Sequence, residues 1–363
     1  MDLHQKLEEV SRQFRIEGEY VGYETIQTGN VNHTYRVKFI KPTGEPKSYL
    51  VQNVNTYAFR DPVALMDNID KVTEHIRAKR PGQLALHFHH TADRKTYVMD
   101  GKNFWRMMNF IYAMTFDSIE DLGVIRNAGK AFGEFQNQLS DFDITQLHET
   151  IPNFHNTRAR YENLLASVKA NAAGRLEEVR EEIEWLLSVQ DQACTLTDML
   201  NAGQLPLRVT HNDTKLNNVL LDPETHAPLC VLDLDTVMPG LSAYDFGDSI
   251  RTGAATVAED DQDTSKMKLD LHLFEIFTRG FMNGAPSLTE AEVKALPLGA
   301  FVMTLECGVR FLKDYLDGDI YFRTGYPTHN LVRCRTQMDL CIDMLAHWAE
   351  MEAIVETVAK EIR

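Results

Sequence analysis

The chemistry-bearing residues of this chain are concentrated in one stretch, from Arg208 to Asp235. An apolar run leads into His211 and Asp213, and five residues on comes Asn218 with a short apolar strand. The turn-forming Asp222-Pro-Glu-Thr follows, and a second apolar strand rises from Leu229 to end on Asp233. This strand–turn–strand places two carboxylates and one carboxamide at the mouth of a hairpin. Phosphoryl transfer needs such a set. A carboxylate must stand near an acceptor hydroxyl, and oxygen ligands must hold magnesium against nucleotide phosphates. A plain loop would also be rich in Asn and Asp, which are common turn residues. The spacing, the flanking apolar runs and the second Asp favour the chemical reading.

The His-x-Asp-x-x-x-x-Asn spacing, with Asp on the next strand, resembles the catalytic loop and metal aspartate of the protein-kinase-like fold. Within that fold it is similar to the aminoglycoside phosphotransferase and choline kinase branch. The elements that must position the hairpin fit an α+β, two-lobe architecture. Leu3, Leu7, Val10 and Phe14 form a helical stripe, and β-type residues fill 20–26, 35–40 and 49–54. Between the first two strands, Thr28 to Thr34 includes Gly29, Asn30 and Asn32 and suits a tight turn over nucleotide phosphates. A plain hairpin turn is the alternative. Asp61 and Pro62 start a helix whose Leu65, Ile69, Val72 and Ile76 face inward, with Asp70 and Glu74 expected on a solvated acidic face. A hairpin turning at Asp100-Gly leads to Met108-Asn-Phe110-Ile111, the expected hinge. There the backbone can pair with adenine while Met108 and Phe110 cover its faces. From Asp121 onward the periodicity is helical, with long stripes expected over 157–199 and 331–359. The expected division is residues 1–111, a nucleotide-binding lobe of sheet plus helix, and residues 112–363, a helical lobe holding the catalytic hairpin.

One departure stands out. Kinases carry a lysine on the third strand that pairs with the α- and β-phosphates. Here that strand reads Tyr49-Leu-Val-Gln-Asn-Val-Asn, leaving Arg36, Lys38 or Lys47, or else magnesium and backbone amides, to supply the charge.

The triplet Asp245-Phe-Gly looks like a metal motif, but it lies well beyond Asp233 and is expected to open a helix at Asp248. The metal is therefore assigned to Asp233. His211 is expected to pack and hydrogen-bond rather than act as a base. Asp235 shares a face with Asp233 if the strand stays regular. Arg310 sits among apolar neighbours on a helix that exits at Asp317-Gly-Asp. It pairs either with Glu306 one turn away or with a polyhydroxylated ligand.

The chain has 363 residues, 44% hydrophobic and 25% charged, as in a soluble globular protein with a large core. The net charge of −16, from 53 acidic and 37 basic side chains, repels nucleic acid and anionic membrane. An anionic substrate such as ATP then needs local basic or metal help. Five cysteines without a Cys-x-x-Cys pair, no signal-peptide pattern after Met1 and no membrane-length apolar run point to the cytoplasm.

Several further stretches carry a closer resemblance: Asn32-His-Thr-Tyr, Ala131-Phe-Gly-Glu-Phe-Gln-Asn, Tyr244-Asp-Phe-Gly-Asp-Ser-Ile-Arg, Glu306-Cys-Gly-Val-Arg-Phe-Leu and Tyr326-Pro-Thr-His-Asn-Leu-Val-Arg. With the catalytic hairpin, they resemble the N-acetylhexosamine 1-kinase family over nearly the whole chain. The resemblance implies transfer of the γ-phosphate of ATP to the anomeric hydroxyl of N-acetylglucosamine or N-acetylgalactosamine. It implies Asp213 as base, Asn218 and Asp233 as magnesium ligands, and Asp245 as acceptor for catalytic-loop amides. Arg310, Tyr321 and the turn near Asn30 are similar to sugar-binding residues, although a relative carries His where Asn30 stands. By chemistry, Asn32 is a further sugar-binding candidate. Two other readings stay open: a kinase of another small alcohol (aminoglycoside, choline or homoserine), and a binding-only pseudokinase suggested by the missing lysine.

Overall fold

The computed structural model describes residues 2–27, 31–116 and 121–362. Helix α1 (Leu3–Ser11) starts on Asp2, whose carboxylate accepts from the Gln5 amide at 2.8 Å. Strands β1 (Glu19–Ile26), β2 (His33–Ile40) and β3 (Pro46–Val54) follow. After α2 (Pro62–Lys79) come β4 (Tyr97–Asp100) and β5 (Asn103–Asn109). The five strands form one antiparallel sheet in the order β1-β2-β3-β5-β4.

Side-chain alternation gives the sheet two buried faces. Val37, Phe39, Tyr49, Val51, Trp105 and Met107 pack with Leu7 and Val10 of α1. Phe104 and Met108 point the other way, into the main core with Leu65, Met66, Ile69 and Val72 of α2. Asp61 caps α2 by accepting from the Ala64 amide at 2.9 Å, and Pro62 occupies its first turn. The acidic face expected to be solvated is partly engaged: Asp70 meets His90 at 3.1 Å, and Glu74 pairs with Arg77.

Among the described residues, the remainder is helical apart from two small two-stranded sheets. Helix α3 (Leu122–Gln138) is followed by α4 (Thr157–Ala170), α5 (Arg180–Ser188) and α6 (Gln190–Asn201). The stripe over 157–199 is thus not one helix; Asn171, in the left-handed region at φ 41°, ends α4. Strands β6 (Arg208–Thr210), β7 (Val219–Leu221), β8 (Pro228–Val231) and β9 (Met238–Gly240) pair as β6–β9 and β7–β8. Helices α7 (Ser242–Gly253), α8 (Leu271–Gly284), α9 (Glu290–Lys294), α10 (Leu296–Asp317), α11 (His329–Ala346) and α12 (Trp348–Ile362) complete the chain. The last periodic stretch breaks at His347, whose amide and ring Nδ1 both pair with the Asp343 carbonyl.

The Asp245-Phe-Gly triplet lies inside α7, which begins at Ser242 rather than at Asp248. Gly247 is there for close approach: a Cβ would come within 2.1 Å of the Gly299 carbonyl oxygen on α10. Among the described residues no helix is long and apolar enough to cross a membrane, and all five cysteines are free.

Candidate active site

The catalytic loop leaves β6 and returns along β7, so Asp213 and Asn218 face each other across a short arc. Asn218 Nδ2 donates to the Asp213 carbonyl at 2.8 Å and reaches its Oδ2 at 3.4 Å. With its nitrogen donating to the loop, the Asn218 carboxamide oxygen is the atom that can accept a cation. The Leu232 amide donates to the Asn218 carbonyl at 2.7 Å, which draws the residue before Asp233 against the loop.

His211 is fully buried, edge-on to Phe132 and Phe135 of α3. Its Nε2 donates to the Leu232 carbonyl at 2.6 Å, and its Nδ1 accepts from the Asp213 amide at 3.3 Å. With both ring nitrogens engaged, His211 ties the loop to the residue that follows β8 and has no nitrogen left to take a substrate proton. Asp245 is also fully buried; its oxygens accept from the His211 amide at 2.9 Å and the Asn212 amide at 2.8 Å. Gln136 adds a third donor at 2.8 Å. Burial pushes the Asp245 carboxyl above the usual range, with the nearby His211 and these donors opposing it. Asp245 therefore supports the loop from behind, and Asp233 opens onto the cleft.

Asp233 is not the last residue of a regular strand. Strand β8 ends at Val231, and Asp233 takes a left-handed φ of 56° before the chain winds into a 3-10 turn over Leu234–Thr236. The expectation that Asp233 and Asp235 share a strand face is thus corrected: Asp235 is carried inward and is 3% exposed. Desolvation, then the Asp235 and Asp213 carboxylates, push the Asp233 pKa up to about 6, while Arg106 and His211 pull it down. A cation there would relieve this crowding of negative charge, so the donor set fits magnesium.

Two polar groups at the site were not legible in advance. Lys215 Nζ lies 2.8 Å from Asp213 Oδ1, placing a cation beside the loop carboxylate. Asp248 accepts from the Thr214 amide at 2.8 Å and from Arg251, and Arg251 also reaches Glu259. Cys307 of α10 lies 3.9 Å from Glu259, so the α10 face that carries Arg310 is linked to the loop.

Arg310 does not pair with Glu306. The Glu306 carboxylate accepts from Thr157 at 2.6 Å and lies 3.1 Å from His155 Nδ1. Burial works to raise the Glu306 pKa, but His155, Arg160 and Thr157 outweigh it and hold it low. The helix exit instead folds back on Arg310. Gly318 turns at φ 98°, and the buried Asp314 carboxylate collects the amides of Ile320, Tyr321 and Phe322 at 3.0, 2.8 and 2.9 Å. The guanidinium then stands 6.0 Å from the Tyr321 ring centre and 5.3 Å from that of Phe322. Tyr321 itself is 74% exposed, an aromatic side chain with little protein contact.

On the sheet side, Asn32 is already engaged at each end. Its Nδ2 donates to Asp235 at 2.7 Å, and its Oδ1 accepts from the Asn55 amide at 2.9 Å. Gly29 and Asn30 lie outside the described residues. Met108 is buried in the main core, and Phe110 lies under the Arg36 guanidinium at 4.2 Å. The Met107 carbonyl and the Asn109 amide already pair with 87–89, and Met114 pairs with Leu221. Among the described residues, backbone outside these pairings therefore falls at 110–113, slightly beyond the expected 108–111. Of the cations proposed for the missing lysine, Lys38 and Arg36 pair with Glu24, and Lys47 lies over Tyr49. The buried cation beside β3 is Arg106 of β5, whose Nε donates to Gln52 at 2.9 Å and whose Nη1 pairs with Asp235.

A profile of the phosphotransferase enzyme family (APH) matches residues 23–270, which span the sheet, the loop, Asp233 and Asp245. The chain belongs to this family. Solved structures share its protein-kinase-like fold at low identity. A spectinomycin phosphotransferase, solved with ADP and spectinomycin, is similar at 15% identity and TM-score 0.57, covering 96% of this chain and 99% of its own. A microcompartment-associated aminopropanol kinase is similar at 13% and 0.58, covering 96% and 98%. The Plasmodium vivax ethanolamine kinase is similar at 12% and 0.54, covering 87% and 82%.

Proposed function

We propose that this phosphotransferase moves the γ-phosphoryl group of ATP to the anomeric hydroxyl of an N-acetylhexosamine, giving the sugar 1-phosphate. The observation that carries the phosphoryl-transfer reading is the convergence of Asp213, Asn218 and Asp233 at one mouth, braced by His211 and Asp245. Residues 1–111 hold the nucleotide in this reading, with Phe110 beside the base, and residues 112–363 hold the acceptor. Asp213 accepts the proton of the acceptor hydroxyl as its oxygen attacks in line and the bond to the ADP oxygen breaks. Lys215 balances charge at that carboxylate. Asp233 and the Asn218 carboxamide would hold magnesium, which when bound would neutralise charge on the phosphoryl oxygens.

The acceptor assignment rests on the sequence resemblance and is supported by Arg310 and Tyr321. A guanidinium without a carboxylate partner among the described residues, beside an exposed aromatic ring, suits a polyhydroxylated ring that offers both acceptors and an apolar face. A second reading, a kinase of an amino alcohol or aminoglycoside, is favoured by the acceptors that the similar structures are named for. A panel of acceptors assayed with magnesium and ATP separates the two.

A further inference from the structure

Among the described residues, a buried ion pair runs between the sheet and the catalytic hairpin, and the chemistry above does not use it. Arg106 and Asp235 are 2% and 3% exposed, and they stand 129 residues apart in sequence. Arg106 is directly opposite Gln52 in the β3–β5 register, on the face between Phe104 and Met108. Its Nε donates to Gln52 Oε1 at 2.9 Å, and Gln52 Nε2 donates to Thr34 at 3.0 Å. The guanidinium thus fills the space where a β3 side chain would present a cation.

Helix α2 supplies no carboxylate to it. Met66 faces Arg106, with its sulfur 3.9 Å from Nη1. Asp67 pairs with Lys71 and His148, Asp70 with His90, and Glu74 with Arg77. The carboxylate comes instead from Asp235, two residues after Asp233. The second oxygen of Asp235 accepts from Asn32, which leads into β2 and itself receives the Asn55 amide after β3. One buried carboxylate therefore gathers the start of β2, the end of β3 and the middle of β5.

We propose that Arg106 and Asp235 form a positioning pair that sets the sheet against the metal-holding Asp233, in place of an ion pair between β3 and α2. A buried ion pair is weak evidence for stability, because desolvation offsets its attraction; its better-attested use is to fix one arrangement among several. In a kinase that arrangement is the distance from the nucleotide-bearing sheet to the metal aspartate, for which the usual lysine–glutamate pair must be in place. The inference rests on the kinase reading above, and its test uses nucleotide binding, which needs no acceptor.

The test compares the wild-type chain, Arg106→Met/Asp235→Asn and Arg106→Lys by calorimetric titration with magnesium and ADP, with the melting temperature of each. The double variant removes the two charges together and so leaves no orphaned buried charge. It should melt close to wild type and bind ADP about tenfold more weakly, within the roughly 5–150-fold typical of coupled sites. Arg106→Lys keeps the charge on Asp235 but loses the donation to Gln52, and should bind ADP severalfold more weakly while folded. Unchanged ADP affinity in the folded double variant overturns the proposal and leaves the pair purely structural. If the double variant does not fold, unchanged affinity in Arg106→Lys has the same force. A wild-type chain that fails to bind ADP contradicts the kinase reading instead.

Discussion

Asn218 Nδ2 donates to the Asp213 backbone carbonyl across 2.8 Å and reaches its carboxylate only at 3.4 Å, so the residue assigned to proton acceptance and the residue assigned to the cation are one hydrogen-bonded unit. Neither is expected to be removable without disturbing the other. Asn218→Ala should raise the magnesium concentration for half-maximal turnover and also lower turnover at saturating magnesium. A magnesium titration of turnover checks this, and an unchanged plateau would separate the two roles.

Asp213→Asn should leave ADP binding intact and cut turnover by two decades or more, roughly what loss of a general base costs. The measurement is steady-state phosphate transfer beside nucleotide titration. Turnover near wild type would remove Asp213 from the chemistry.

The Asp233 carboxyl opens onto the cleft, yet the protein packed around it and the Asp235 and Asp213 carboxylates raise it to about 6, so magnesium binding should depend on pH. A proton competes with the cation below that value, so magnesium affinity should weaken as pH falls through about 6. For stability the sign is opposite. The folded pKa lies above the unfolded one, so the folded state binds the extra proton, and metal-free stability falls as pH rises from about 4 to about 6. Asp233→Asn should therefore melt higher than wild type at pH 8 without metal, with the difference shrinking toward pH 4. Melting curves across that range check it.

Asp245→Ala strips acceptors from the buried amides of His211 and Asn212 and from the Gln136 side chain. Each unsatisfied buried donor costs about 1–3 kcal/mol, so the loss should appear as a large fall in melting temperature. The magnesium titration of whatever folds should stay near wild type. A shifted titration at full stability would transfer the metal role from Asp233 to Asp245.

The catalytic hairpin was legible because its parts are local: short strands and a turn set where Asp213, Asn218 and Asp233 can go. The sheet was legible from the same short-range alternation. What escaped was made by contacts distant in sequence or by broken periodicity. Asp235 left the face of Asp233 because a left-handed residue and a 3-10 turn end the alternation there. Glu306 was lost to Arg310 because Thr157 and His155, about 150 positions earlier, reach it first. Arg106 gave no signal at all, since its carboxylate arrives from the other lobe.

Arg310 and Tyr321 are placed together by the Asp314 amide cluster rather than by a helical repeat. If they hold the sugar, Arg310→Ala should raise its Michaelis constant by one to two decades, the worth of a charged hydrogen bond of about 1.5–3 kcal/mol. The ATP constant and the melting temperature should scarcely move. A sugar constant that stays at its wild-type value removes Arg310 from the acceptor site.

The acceptor is identified by incubating the wild-type chain with magnesium, ATP and one acceptor at a time, and identifying each phosphorylated product. N-acetylglucosamine or N-acetylgalactosamine should give rapid formation of N-acetylhexosamine 1-phosphate, with little turnover of choline, ethanolamine, homoserine or aminoglycosides. Efficient phosphorylation of one of those alcohols, with none at the anomeric hydroxyl of the sugars, would contradict the proposed function.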